Sequence, residues 1–79
     1  MVKEAVVKRF LGLCQERCIS INELANLSGV TPSSVYSMLS PARKELTINL
    51  IKKLCDGLGL TLGEFFSAEI FNNLDQEIR

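Results

Sequence analysis

At 79 residues the chain has room for one domain around one modest core, and an apolar share of 47% argues against disorder. No apolar run approaches the roughly 18 residues of a membrane span. Nine basic and nine acidic residues give zero formal net charge and hence no whole-molecule pull toward nucleic acid, but the split is uneven: net +3 through Lys44 and net −3 after it, a polarity that lets a neutral molecule present a basic face.

The first helix is expected over residues 2–17, where Val6, Phe10, Leu13 and Cys14 recur on one face. Ser20 followed by Glu23 is a capping box: hydroxyl and carboxylate satisfy backbone N–H groups that a helix start leaves orphaned. Ile19 and Leu24 stand around it at hydrophobic-staple spacing. A second helix follows over 21–28, with Leu27 its last apolar position, and Gly29 suits the left-handed residue that ends it. Thr31-Pro32 places a cap before a proline at the first helical position, where the missing N–H costs nothing; Val30 and Val35 supply the staple. The third helix runs over 32–39 with Val35, Met38 and Leu39 inward, until Pro41 prevents continuation and 40–46 forms a polar loop. Thr47 caps a fourth helix over 48–57, whose apolar side carries Ile51, Leu54 and Cys55. Gly59 helps turn the chain. Thr61 with Glu64 forms another capping box, stapled by Leu60 and Phe65, and opens a fifth helix over 62–67. From Ala68 the stripe Ile70, Phe71, Leu74 and Ile78 keeps helical spacing. With four capped starts and no strand-like alternation, the expected fold is an all-α five-helix bundle over 1–67 with a short C-terminal helical extension over 68–79.

The two short helices joined by Leu27-Ser28-Gly29-Val30-Thr31 meet the geometry of a helix-turn-helix: a tight turn containing glycine, then a second helix free to protrude. An ordinary helical hairpin meets the same local spacing. Other chemistry is poorly supported. Cys14, Cys18 and Cys55 form no C-x-x-C motif, and there is no histidine to complete a zinc set, so they read as small buried hydrophobes in a reducing cytosol. Without histidine, a paired-carboxylate cleft or a glycine-rich phosphate loop, an enzyme is not expected, nor a metal, cofactor or small-molecule effector site. The start Met1-Val2-Lys3-Glu4 does not read as a signal peptide, which makes the cytoplasm the expected address.

The stretch from Ile21 to Leu39, INELANLSGVTPSSVYSML, resembles the helix-turn-helix of lambda-repressor-like regulators of the Cro and Xre type. The stretch from Ile48 to Phe66, ending GLGLTLGEFF, is similar to that family's fourth and fifth helices. The resemblance implies a five-helix bundle that binds operator DNA, usually as a dimer, with the third helix in the major groove. It also implies base reading by the first two residues and the sixth of that helix, here Pro32, Ser33 and Ser37, with Thr31 at the cap and Tyr36 beside them. None of these makes the bidentate base pairing open to arginine or glutamine. Pro32, Tyr36 and the Thr31 methyl suit thymine methyls, so direct readout is expected to be weak, with DNA shape or dimer spacing carrying more.

Phosphate contacts are expected at helix starts, from Ser20, Asn22, Thr47 and Asn49, and in the loop after the third helix, from Ser40, Arg43 and Lys44. Beside each stands the plainer reading of a solvated surface residue. Lys52 and Lys53 are expected on an exposed face of the fourth helix. Two positions depart from the family pattern. Ile21 stands where a phosphate-binding glutamine is common, and Cys14 and Leu39 replace an arginine–glutamate pair; an apolar pair avoids charge desolvation, so contact between the two in the core is expected.

Two functions follow. The first is a sequence-specific transcriptional regulator of the Xre type, a homodimer on double-stranded DNA. Phe66, Ile70, Phe71, Leu74 and Ile78 are its candidate dimer surface, with packing of the tail on its own bundle as the alternative. The second is an antitoxin or phage accessory protein that uses the same fold to contact another protein. Zero net charge and a hydroxyl-only reading helix favour the second; the basic pair Arg43-Lys44 favours the first.

Overall fold

The protein is described by a computed structural model covering residues 2–78. It has five helices, α1 (Val2–Arg17), α2 (Ile21–Ser28), α3 (Pro32–Leu39), α4 (Ile48–Gly57) and α5 (Leu62–Phe66), then a 3₁₀ turn at Glu69–Phe71. No strand forms among the described residues. Helix starts follow the cap chemistry read from the sequence. The hydroxyls of Ser20, Thr31, Thr47 and Thr61 accept from the backbone N–H three residues on, and the Ser20–Glu23 and Thr61–Glu64 boxes close reciprocally. Gly29 and Gly59 take the left-handed conformation, at φ 70° and 72°.

α1 ends by a route the sequence did not signal. Cys18, at φ 55°, occupies the left-handed position usually given to glycine, and Ile19 N–H reaches back 3.0 Å to the Cys14 carbonyl. Cys18 is exposed, which corrects the expectation of a buried residue, whereas Cys14 and Cys55 are buried and burial pushes both thiols up.

The core is contiguous through Val6, Phe10, Leu13, Leu24, Val35, Met38, Leu54 and Phe65, with the staple residues Ile19, Val30, Leu46 and Leu60 packed on its edge. Cys14 lies within it. Leu39 packs on it from outside, beside Lys3, Val7 and Pro41. α2 is clamped between α3 and α4, most extensively against α4. That seam needs Gly57: a Cβ there would collide with Ser28 Oγ and stand 3.0 Å from the backbone of Leu27 and Ser28. Leu27 itself is 59% exposed.

Three cations of α1 hold the bundle's helix ends. The nearly buried Lys3 donates from Nζ to the Ser40 carbonyl just after α3, at 2.8 Å. Arg9 donates to the Phe65 and Glu64 carbonyls at the end of α5, at 3.1 and 3.4 Å, with its guanidinium over the Phe65 ring. Arg17 donates to the Leu58 carbonyl that follows α4. Each meets carbonyls at the negative end of a helix dipole. The positive excess of the first half of the chain is thus largely committed inside the fold.

The C-terminal extension is helical for a single 3₁₀ turn, and the α-helical spacing of its stripe is not continued beyond Phe71. Phe66 and Phe71 stack on each other and on Phe65, with centroids 4.9 to 5.7 Å apart, and so add to the bundle's own core. Ile70 and Leu74 lie half-buried beside Ala5 of α1. Aromatic burial outweighs local helix propensity here, because an α-helix carried past Phe66 would have to run past these partners.

Candidate nucleic-acid interface

α3 is held by one face and free on the other. Val35 and Met38 are fully buried, so the helix period sends Ser33, Tyr36 and Ser37 outward. Tyr36 is 53% exposed. Thr31 is exposed and Pro32 half-buried. Between this face and the start of α4 runs an open groove of about 410 Å³, lined by Ser33, Ser34, Ser37, Arg43, Asn49 and Lys53 among others. No acidic side chain lines it.

Hydroxyls at the head of α3 form a cluster. Thr31 Oγ1 accepts from the Ser34 N–H at 3.3 Å and lies 2.9 Å from Ser34 Oγ and 3.2 Å from Ser33 Oγ. One turn on, Ser37 Oγ accepts from Arg43 Nη1 at 3.2 Å. The same guanidinium donates from Nε to the Glu45 carbonyl at 3.1 Å, and the Arg43 N–H donates to the Ser40 carbonyl at 3.1 Å. A half-buried arginine pinned twice through its fork holds its remaining N–H groups in a fixed place at the groove.

The residues singled out from the sequence are not all brought together. Ser33, Ser37, Arg43, Thr47 and Asn49 line the groove. Lys44 does not: it lines a separate hollow with Val2, Leu46 and Phe66. Ser40 sits at the end of α3, its carbonyl taken by Lys3 and its hydroxyl accepting from the Ala42 N–H at 3.3 Å. Ser20 and Asn22 are exposed at the start of α2, outside the groove lining. Phe66, Ile70, Phe71 and Leu74 are half-buried as described above, and Ile78 is 78% exposed.

Two groove residues were missed, Ser34 and Lys53. Lys53 is exposed as expected, yet it stands four residues after Asn49 and therefore on the same side of α4. Its neighbour Lys52 turns away and pairs with Asp56. Helical spacing from Asn49 and from Ser37 would have found both.

Helix starts fall into two kinds. At α2 and α5 the box glutamate lies on the cap N–H, with Glu23 2.9 Å from Ser20 N and Glu64 2.9 Å from Thr61 N. Those ends already hold an anion. α3 and α4 have no acidic residue in the first turn, so their positive ends are open to one, and both border the groove.

No helix among the described residues is long and apolar enough to cross a membrane, and no group of three histidine, cysteine or acidic residues among them is placed to hold a metal ion. Comparison with known proteins gives two matches. Residues 9–69 match the model of the Cro/C1-type HTH DNA-binding domain. The crystal structure of the prophage Lp1 protein 11 superposes with a TM-score of 0.81 at 30% identity, over 94% of this chain and 97% of that one. No curated protein matches.

Proposed function

This chain belongs to the Cro/C1-type helix-turn-helix DNA-binding family, and we propose that it regulates transcription by laying α3 in the major groove of operator DNA as a homodimer. One observation carries this reading. The exposed face of α3 borders a groove that holds Arg43 and Lys53, two open helix starts and no acid. Ser33, Ser37 and Tyr36, with Thr31 and Pro32 at the head of the helix, face the base edges. Arg43, Lys53, Asn49 and the starts of α3 and α4 take phosphates on the flank. Ser20 is a weaker phosphate ligand than its place at a helix start suggests, since Glu23 already lies on its N–H. Symmetry supplies what a hydroxyl-only reading surface lacks. Two copies with α3 helices one DNA turn apart, about 34 Å, read spacing as well as sequence.

The test is binding to genomic DNA fragments across a salt series. Each neutralised phosphate contributes a slope of about −0.9 in log affinity against log salt, so a steep linear loss is expected. Failure to retain any fragment at low salt would overturn DNA binding and leave the protein-interaction role, as an antitoxin or phage accessory factor. Sedimentation with and without operator tests the dimer; a single copy on each site at saturation would refute it.

A further inference from the structure

Among the serines on α3, only Ser37 accepts a hydrogen bond from a charged side chain. A hydroxyl offers one donor and two acceptor lone pairs, whereas a guanidinium is donor-only. With Arg43 Nη1 donating to Ser37 Oγ at 3.2 Å, one lone pair is taken and the adjacent positive charge turns the O–H dipole away. Arg43 does not follow Ser37 if Ser37 rotates, because its Nε is anchored on the Glu45 carbonyl and its own N–H on the Ser40 carbonyl. The Ser37 proton has no acceptor among the described residues. It is therefore available on an exposed side chain at the edge of the groove. Ser33 differs: its hydroxyl shares a cluster with Thr31 in which either oxygen can donate, so it can present either polarity.

We propose that Arg43 is a positioning residue that biases Ser37 toward donating a hydrogen bond, so that the sixth residue of α3 favours guanine or thymine over cytosine at the base it meets. The inference rests on the DNA-binding reading above. In the major groove guanine presents two acceptors, O6 and N7, and thymine presents O4. Adenine presents an acceptor beside an amino donor, and cytosine only its N4 amino donor. Ser37 keeps one lone pair, but accepting from a cation polarises its O–H, making it a better donor and a poorer second acceptor. It therefore meets that amino group less well than it meets O6, N7 or O4. Arg43 then contributes to sequence choice and not solely to phosphate affinity.

The experiment is selection from a library of random duplexes, run on the wild-type chain, Ser37→Ala and Arg43→Lys. Lysine keeps the charge but cannot bridge Ser37 and the Glu45 carbonyl through one planar fork. The wild type should deplete cytosine at one position per half-site by about 2- to 10-fold, the worth of one hydrogen bond. Ser37→Ala should erase that depletion. Arg43→Lys should erase it at the same position, read as base frequencies within each variant's own selected pool, so that a change in total affinity does not enter the comparison. Depletion that survives Arg43→Lys, or cytosine enriched at the Ser37-dependent position, overturns the proposal while leaving DNA binding intact. If the wild type enriches no DNA at all, the DNA-binding reading falls and this inference with it.

Discussion

The cations of α1 and those of the α3–α4 groove are the same residue types put to opposite uses. Lys3, Arg9 and Arg17 each donate to carbonyls at the end of a different helix, so their N–H groups are already engaged by the fold. Arg43 and Lys53 line an open surface without acid, and beside them two helix starts carry no carboxylate. Net charge by segment is therefore a poor guide to a binding face. What matters is which cations already have a carbonyl or carboxylate partner.

The largest expected effect comes from removing the groove cations. Arg43→Ala with Lys53→Ala should lower affinity for every DNA sequence by about 10- to 100-fold near physiological salt and flatten the salt slope by about 2. Its melting temperature should stay near wild type, since neither side chain reaches the core. A lost fold, or an unchanged slope, would break the contrast. The adjacent pair Lys52 and Lys53 sharpens it: Lys52→Gln, which removes an exposed ion pair with Asp56, should leave affinity within about twofold and cost at most about 0.5 kcal/mol.

Closing an open helix start should do nearly as much. Thr31 and Ser34 stand at capping-box spacing, so Ser34→Glu gives α3 the carboxylate that α2 and α5 already carry. Stability should hold or rise by up to about 1 kcal/mol, while DNA affinity falls about tenfold or more by repulsion from phosphate. Thermal melts and the salt-series assay read the two effects separately, and an unchanged affinity would exclude the start of α3 from the interface.

On the other side of the contrast, Lys3→Met should cost about 1–3 kcal/mol, because it removes a charged donor from the Ser40 carbonyl in a nearly buried place. Ser40 also accepts from the Arg43 backbone, so this variant tests how far the two regions are independent. At a temperature where it is fully folded, DNA affinity should remain within about threefold. A larger drop would mean that α1 sets the position of the loop that carries Arg43.

Much of the fold was legible because helix starts are chemically explicit. Four hydroxyl caps and their staples each sit within five residues of one another, and local spacing is what a sequence displays. Ends and surfaces were less legible. Cys18 closes α1 in a conformation its residue type does not advertise. Gly57 matters because α2 passes over it, 29 residues from Ser28 in the chain. The tail kept α-helical spacing but follows the aromatic cluster of Phe65, Phe66 and Phe71. For the groove, Ser33, Ser37, Arg43 and Asn49 were found from their places on the motif. The separation of Arg43 from Lys44, and of Lys53 from Lys52, depends on which way each side chain leaves the backbone.

The smallest effect concerns the helix start that is already closed. The Glu64 carboxylate accepts from the Thr61 N–H at 2.9 Å, and its own N–H donates to Thr61 Oγ1 at 3.0 Å. Hydrogen bonding to the Thr61 backbone, with a further contribution from its side chain, holds the carboxyl below the ordinary glutamate value. A carboxylate depressed in the folded state stabilises fully above its unfolded value and loses that contribution as pH falls through the folded one. Melting temperature should therefore decline slightly more steeply below about pH 5 in the wild type than in Glu64→Gln, which keeps a cap acceptor but does not titrate. The two curves should run parallel between pH 6 and pH 8, because the carboxylate is fully ionised in both folded and unfolded chains there. Curves that stay parallel down to about pH 3 would show that the box acts through its hydrogen-bond geometry alone. Curves that diverge with acid would show that charge at a helix start contributes to stability in this bundle, which is the same attraction the open starts of α3 and α4 offer to phosphate.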